Sequence, residues 1–133
     1  MGQDTKEAAF AFGEDDLPLQ PKHMEVRVPA GLLTKPDLLD ALAVGLSFPD
    51  YFGRNWDALW DCVCDLSWLS TVQVVVIHED LPLEHDPAQQ LTYLSIMNDA
   101  SAYWQDRPEH KLIVVVPQES EPLVRTLIAT RQT

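Results

Sequence analysis

The segment FPDYFGRNWDALWD, from Phe48 to Asp61, combines a loop with the start of a helix. Asn55 is a good N-cap, because its side-chain oxygen can accept a hydrogen bond from a free helix N–H. Asp57 and Asp61 stand four residues apart, which places both carboxylates on one helix face. Four aromatic residues accompany them: Tyr51, Phe52, Trp56 and Trp60. Such a surface suits a basic protein partner, since charge orients the partner and rings supply desolvated contact area.

Strands and helices alternate on both sides of this segment. Met24 to Val28 alternates apolar and polar residues as a strand does. Pro36 marks a helix start, and Gly45 with Pro49 marks its end. The helix after Asn55 runs to about Leu66, and the pattern then predicts a buried strand at Val72 to Ile77, a helix from Pro87 to about Trp104, a buried strand at Leu112 to Val116 and a helix at Glu119 to Thr130. This order is typical of a parallel sheet covered by helices.

The first 22 residues differ in composition from the rest of the chain. An acidic run at residues 14–16 is followed by Pro18 and Pro21, a mixture that disfavours a packed core. We therefore predict a partly disordered N-terminal extension at residues 1–22 and one domain at residues 23–133. An additional edge strand around Phe10 to Phe12 is the alternative.

Composition narrows the class of partner. The 133 residues correspond to one domain, and 46% apolar residues can form a core without metal or disulfide. The net charge is −12, and nine Lys and Arg form no basic stripe, so we expect no direct nucleic-acid binding. The sign favours a cationic partner, although an acidic surface can also serve solubility alone.

The sequence carries no pattern of export or membrane insertion. Its first 17 residues lack a cationic region followed by an apolar one, unlike a signal peptide. The longest apolar runs are strand-sized, far below the roughly 18 residues of a membrane span. Cys62 and Cys64 stand two residues apart on a helix and point in different directions, which disfavours a mutual disulfide. We therefore expect a cytoplasmic protein without membrane contact.

The usual catalytic motifs are absent: the sequence has no GxGxxG, phosphate loop, GxSxG or HExxH. Residues 78–80, His-Glu-Asp, could form a metal or acid–base site, but a polar step at a strand exit is the commoner explanation. Cys62 fits a small buried apolar group better than a nucleophile. We therefore predict no catalytic residue, no metal ligand and no cofactor.

The acidic helix face admits three interpretations. Asp57 and Asp61 could hold Mg²⁺ or act as acid and base, they could form a protein-binding ridge that Asp65 continues, or they could simply face solvent. Trp56 and Trp60 are also four residues apart, and a helix in a small domain cannot easily bury both indoles. At least one ring should therefore be partly exposed, which favours the binding ridge.

The same residues resemble the barstar family of intracellular ribonuclease inhibitors. The match is specific between Pro49 and Cys62, as YFGxNxDALWDC, and it includes Leu38, Leu42 and Leu46 in the preceding helix. In outline it covers residues 24–117. The resemblance implies an α/β fold with a small three-stranded parallel sheet covered by about four helices, in a protein that is not an enzyme.

The resemblance also implies a role for each site residue. Barstar-like proteins cover the active site of a basic ribonuclease with the acidic helix and the loop before it. By position, Asp61 would enter the phosphate-binding pocket and Asp57 would add a second charged contact. The remaining roles are a packing contact for Tyr51, a rim contact for Trp60, the tight turn for Gly53 and the helix cap for Asn55.

Three features depart from the family pattern. Arg54 stands where the family has an acid, and Leu66 replaces an aromatic residue at the end of the helix, where Trp68 could substitute. A further acidic contact in the third helix has no assigned position here, and its candidates are Asp99, Asp106 and Glu109. These departures bear on which ribonuclease is bound.

Three functional hypotheses follow. The first is a monomeric intracellular inhibitor or immunity protein that blocks a basic, extracellular-type ribonuclease or nuclease toxin. The second is an acidic adaptor on the same scaffold with a partner that is not a nuclease. The third is a small metal-dependent hydrolase that uses Asp57 and Asp61, for which Mg²⁺ should raise the melting temperature.

Overall fold

The computed structural model describes residues 9–131. Its strands are β1 (Ala11–Phe12), β2 (His23–Val28), β3 (Gln73–His78) and β4 (Lys111–Val116). Its helices are α1 (Lys35–Gly45), α2 (Trp56–Val63), α3 (Pro87–Gln105) and α4 (Glu121–Thr130), and a 3-10 turn at Gln118–Ser120 precedes α4. The predicted α/β class, with a parallel sheet and four helices, is confirmed.

All strand pairs of the sheet are parallel, in the spatial order β1-β4-β3-β2. β1 pairs with β4, with Ala11 opposite Val115, so the sheet has four strands and the prediction of three was wrong by one. The extra strand lies where the alternative placed it. Phe10, only 8% exposed, belongs to the core and holds this segment against the sheet edge. The boundary at residue 22 between extension and domain stays a prediction.

The start of α2 follows the sequence, but its end does not. Asn55 caps the helix, since its Oδ1 accepts a hydrogen bond from the Ala58 N–H at 2.8 Å. The helix was expected to reach about Leu66, and it ends at Val63. Leu66 takes a left-handed conformation with φ of 53°, and its N–H donates to the Cys62 carbonyl at 3.1 Å. This turn directs Leu66 into the core, where it is buried.

The main core lies between one face of the sheet and the helices. Alternate strand residues, such as Val26, Val76 and Val114, are buried there. The indole N–H of Trp104 in α3 donates to the Val63 carbonyl at the end of α2, at 2.8 Å. This bond and the shared core set the position of α2 relative to α3.

The opposite face of the sheet is also buried. All six residues of β3 are buried, as its continuous apolar run predicts. The side chain that packs there from outside the sheet is Leu17, in the connection between β1 and β2. Within residues 9–131, no helix combines the length and apolar character that a membrane crossing requires.

Candidate functional site

The orientation of α2 follows from its buried side. Leu59, Cys62 and Val63 are at most 3% exposed and lie in or against the core. Ala58, one residue before Leu59, is only half-buried. Since these residues occupy one side of the helix, the opposite side is left to solvent.

The acidic row lies on that solvent side. Asp57 and Asp61 in α2 and Asp65 just after it are all exposed. No ion pair within residues 9–131 includes any of the three. Carboxylates without a cationic neighbour keep their full charge available for a partner.

The two indoles of α2 have different environments. Trp56 is half-buried: its indole N–H donates to Gln89 Oε1 at 2.6 Å, and its ring centroid lies 6.2 Å from that of Tyr93. Trp60 is 36% exposed and meets Tyr103 edge-on, with ring centroids 6.3 Å apart. One indole therefore reaches solvent on the acidic helix, as the crowding argument predicts.

Tyr51 is the most exposed aromatic residue of the site, at 73%. Partial desolvation raises the pKa of its phenol, and the negative charge and hydrogen bonding of Asp65 act in the same direction. The neutral phenol therefore faces outward beside the acidic row, with an apolar ring and a polar end available for contact.

Backbone conformations with positive φ occur at both ends of the site segment and within it. Ser47, Arg54 and Leu66 are three of the five non-glycine residues with positive φ in the described chain. Gly53, expected to allow the tight turn, does not have a positive φ, and the left-handed conformation falls on Arg54, with φ of 59°. Left-handed residues other than glycine cost energy and concentrate at functional segments.

Arg54 is the one cation in the loop before α2. It forms an ion pair of 2.6 Å with Asp40 in α1, and both side chains are about half exposed. The pair directs the guanidinium toward α1 instead of toward Asp57. Arg54 replaces the acid of the family pattern, but because it pairs with Asp40 it does not neutralise the acidic row.

A groove of about 530 Å³ separates α2 from α3 beside the acidic row. Asp57 and Trp60 line one wall, and Asp99 of α3 lines the other, paired with Arg131 at 2.7 Å. Of the three candidates for a further acidic contact, Asp99 is the one that borders this groove. Glu109 instead lines a separate cavity with Cys64, Arg107 and His110.

The other candidate groups have structural surroundings. His78 is buried: its Nδ1–H donates to the Val115 carbonyl at 2.8 Å, and its Nε2 accepts from the Tyr93 hydroxyl at 2.6 Å. Cys62 is buried as predicted, and burial raises its thiol pKa. Both cysteines are free. Among residues 9–131, no three His, Cys, Asp or Glu side chains converge as a metal site would require.

Some residues of this surface were missed in the sequence. Asp40 and Gln89 hold Arg54 and Trp56 in place, yet each belongs to another helix and has an ordinary helix-surface position in the sequence. No local pattern marks them. Arg54 is the one Lys or Arg between residues 36 and 106. Its isolation among acidic residues could have indicated that it pairs with one of them.

Comparisons with known proteins indicate the family of this chain. A family model described as Barstar (barnase inhibitor) matches residues 25–116. The match includes α1, α2 and the loop between them, and β1 and α4 lie outside it. A stretch of 26 residues is 65% identical to Putative ribonuclease inhibitor YrdF of Bacillus subtilis (strain 168). That stretch is 20% of this chain and 29% of the relative, so the likeness to that protein is local.

Proposed function

This chain belongs to the Barstar (barnase inhibitor) family, and on that premise we propose that it inhibits a basic ribonuclease without catalysing a reaction itself. The relative named as a ribonuclease inhibitor supports the same function. The inhibitor acts in the cytoplasm as a monomer, on an extracellular-type ribonuclease or a nuclease toxin. Its net charge of −12 favours association with a cationic enzyme.

The observation that carries this proposal is the exposed, unpaired state of Asp57 and Asp61 beside Trp60. A ribonuclease active site is built to bind phosphate, and a carboxylate offers the same negative oxygens to its Arg, Lys and His groups. Asp61 enters that pocket and Asp57 makes the second charged contact. Tyr51 and Trp60 add apolar contact area, and Asn55 holds the start of α2 in place through its cap.

The first experiment compares Asp61→Ala with Asp15→Ala in binding to the ribonuclease captured from the source organism. Both changes remove one exposed carboxylate. Asp15, however, lies in the connection between β1 and β2, where Leu17 packs on the sheet face opposite the main core. Asp61→Ala should weaken binding by about 2–5 kcal/mol, a range for buried charged pairs that draws on barnase–barstar itself. Asp15→Ala should change the affinity by less than tenfold. Equal effects of the two variants would remove Asp61 from the interface.

The second experiment separates the inhibitor from the adaptor. The immobilised chain should retain a nuclease as its main partner, and binding should block RNA cleavage at a one-to-one ratio. The association rate should fall steeply with salt, because opposite charges steer the encounter. A main partner without nuclease activity would favour the adaptor instead.

A further inference from the structure

The groove between α2 and α3, which we name the α2–α3 groove, has a largely apolar lining. Its volume of about 530 Å³ falls in the range of pockets that enclose a small molecule, so it can admit a large side chain of a partner. The apolar residues that border it are Trp56 and Trp60 of α2 and Leu91 and Ile96 of α3. Leu91 and Ile96 are half-buried, so part of each side chain is open to contact.

Arg131, directly after α4, reaches α3 and borders the same groove. Val124 and Ile128 of α4 are fully buried in the core, and Arg131 follows on the same helix face one turn later. Its guanidinium donates to Asp99 Oδ1 at 2.7 Å and to the Ser95 carbonyl at 3.3 Å. The Arg131 side chain is 11% exposed and that of Asp99 is 50% exposed. Arg131 is therefore a fixed cation that compensates the charge of Asp99 from the protein side.

Cations of this chain balance the carboxylates of the groove. Among the described residues, Asp57 and Asp99 are the acids that border it, and Arg131 is paired with Asp99. Lys35 of α1 adds a second cation nearby, since its Nζ lies 5.1 Å from the ring centroid of Trp56. Two negative charges are thus matched by two positive charges. A cation of a partner at Asp99 would gain little attraction, because Arg131 repels it.

We propose that Arg131 is a positioning residue that sets the specificity of the α2–α3 groove. By holding Asp99 in an ion pair, it suits the groove to an apolar side chain of the ribonuclease against α3 instead of a cationic one. Charged recognition is then concentrated on the acidic row. The inference rests on the proposed inhibition of a ribonuclease, and it adds a residue outside residues 25–116 that match the family model.

The test measures the dissociation constant of the ribonuclease captured from the source organism, by titration calorimetry, for Arg131→Met and Arg125→Met. Both changes remove one paired arginine, but Arg125 pairs with Glu121 within α4 and is not among the residues that line the groove. Arg131→Met should weaken binding about tenfold, because an apolar side chain would desolvate Asp99 without its partner. Arg125→Met should change the affinity less than about threefold. Stronger binding of Arg131→Met would show a ribonuclease cation at Asp99 and would overturn the proposal, as would equal effects of the two variants.

A double variant, Arg131→Met with Asp99→Asn, determines whether Arg131 acts through Asp99. Asparagine removes the charge that Arg131 compensates. The double variant should therefore bind within about threefold of the unchanged chain, because the coupling between the two residues is lost together with the pair. A purely structural role of Arg131 would leave the tenfold loss in place, contrary to the proposal.

Leu91→Ala tests the apolar contact directly, with Leu123→Ala as its control, and it does so even if Arg131→Met does not fold. Leu123 is 48% exposed on α4 and is not among the residues that line the groove. Leu91→Ala should weaken binding about tenfold through lost apolar contact, and Leu123→Ala should change it less than about threefold. An unchanged affinity of Leu91→Ala would exclude an apolar side chain at α3.

Asp61→Ala, measured with the same ribonuclease, separates this inference from the proposed function. Weaker binding of Asp61→Ala together with stronger binding of Arg131→Met would leave the inhibitor function in place and reject the role of Arg131. Unchanged binding of both variants would show that the partner does not use this face, and both proposals would then fail.

Discussion

Lowering the pH should destabilise this protein through the buried imidazole of His78. His78 ends β3, one of the two inner strands, and is only 3% exposed. Its Nδ1–H donates to the Val115 carbonyl, so its Nε2 carries no proton and accepts from Tyr93. A second proton on the ring would have to replace the bond from the Tyr93 hydroxyl and place a charge in the core. Burial therefore lowers the pKa of His78 from 6.5 to about 4.

The size of the effect follows from this pKa. Each pKa unit corresponds to about 1.36 kcal/mol, so the neutral imidazole contributes about 3 kcal/mol to the free energy of unfolding. Because the folded pKa lies below the unfolded value, this contribution is complete above pH 6.5. It is lost as the pH falls from 6.5 toward 4, since the unfolded chain binds the proton first.

The assay is urea unfolding of the unchanged chain and of His78→Gln at a series of pH values between 7.5 and about 4. His78→Gln should be less stable at neutral pH but should lose less stability on acidification, because its amide does not titrate. Subtracting the two curves removes the contributions of the other histidines and the carboxylates. A difference that stays constant between pH 6.5 and 4 would refute the buried, neutral state of His78.

Three substitutions test local features of the site and the core. Asn55→Ala should lower the free energy of unfolding by about 1 kcal/mol through loss of the α2 cap, measured by urea unfolding. Gly45→Ala should destabilise by about 1–3 kcal/mol although alanine favours helices, because a Cβ there collides with Val26; a more stable variant would contradict this packing. Arg54→Gly should leave stability within about 1 kcal/mol, since relief of the left-handed backbone offsets the lost pair with Asp40. The same change should speed association with a cationic ribonuclease, and a slower association rate would show that Arg54 contacts the enzyme directly.

Local patterns predicted most of the helices and the orientation of α2. Asn55 caps the helix because the cap depends on residues only three positions apart. Leu59 and Cys62 are buried while Asp57 and Asp61 are exposed, because helical spacing alone separates these two faces. The binding roles of the site residues remain predictions until the partner is tested.

The errors occurred where distant contacts override local preference. The strand at Ala11–Phe12 has only two residues, and it forms because β4 offers a free edge and the core accepts Phe10. α2 ends early because Leu66 turns back into the core. Neither the free edge nor the space in the core is visible in the neighbouring residues.

The amino-acid sequence is sufficient to establish an acidic helix face framed by aromatic residues, because spacing along one helix depends only on residues a few positions apart. Tertiary structure alone pairs Arg54 with Asp40, places Asp99 opposite Asp57 across a groove and packs Leu17 on the second face of the sheet. Each of these contacts joins different elements of the fold. Their geometry is therefore set by how the helices and strands pack, which no local pattern encodes.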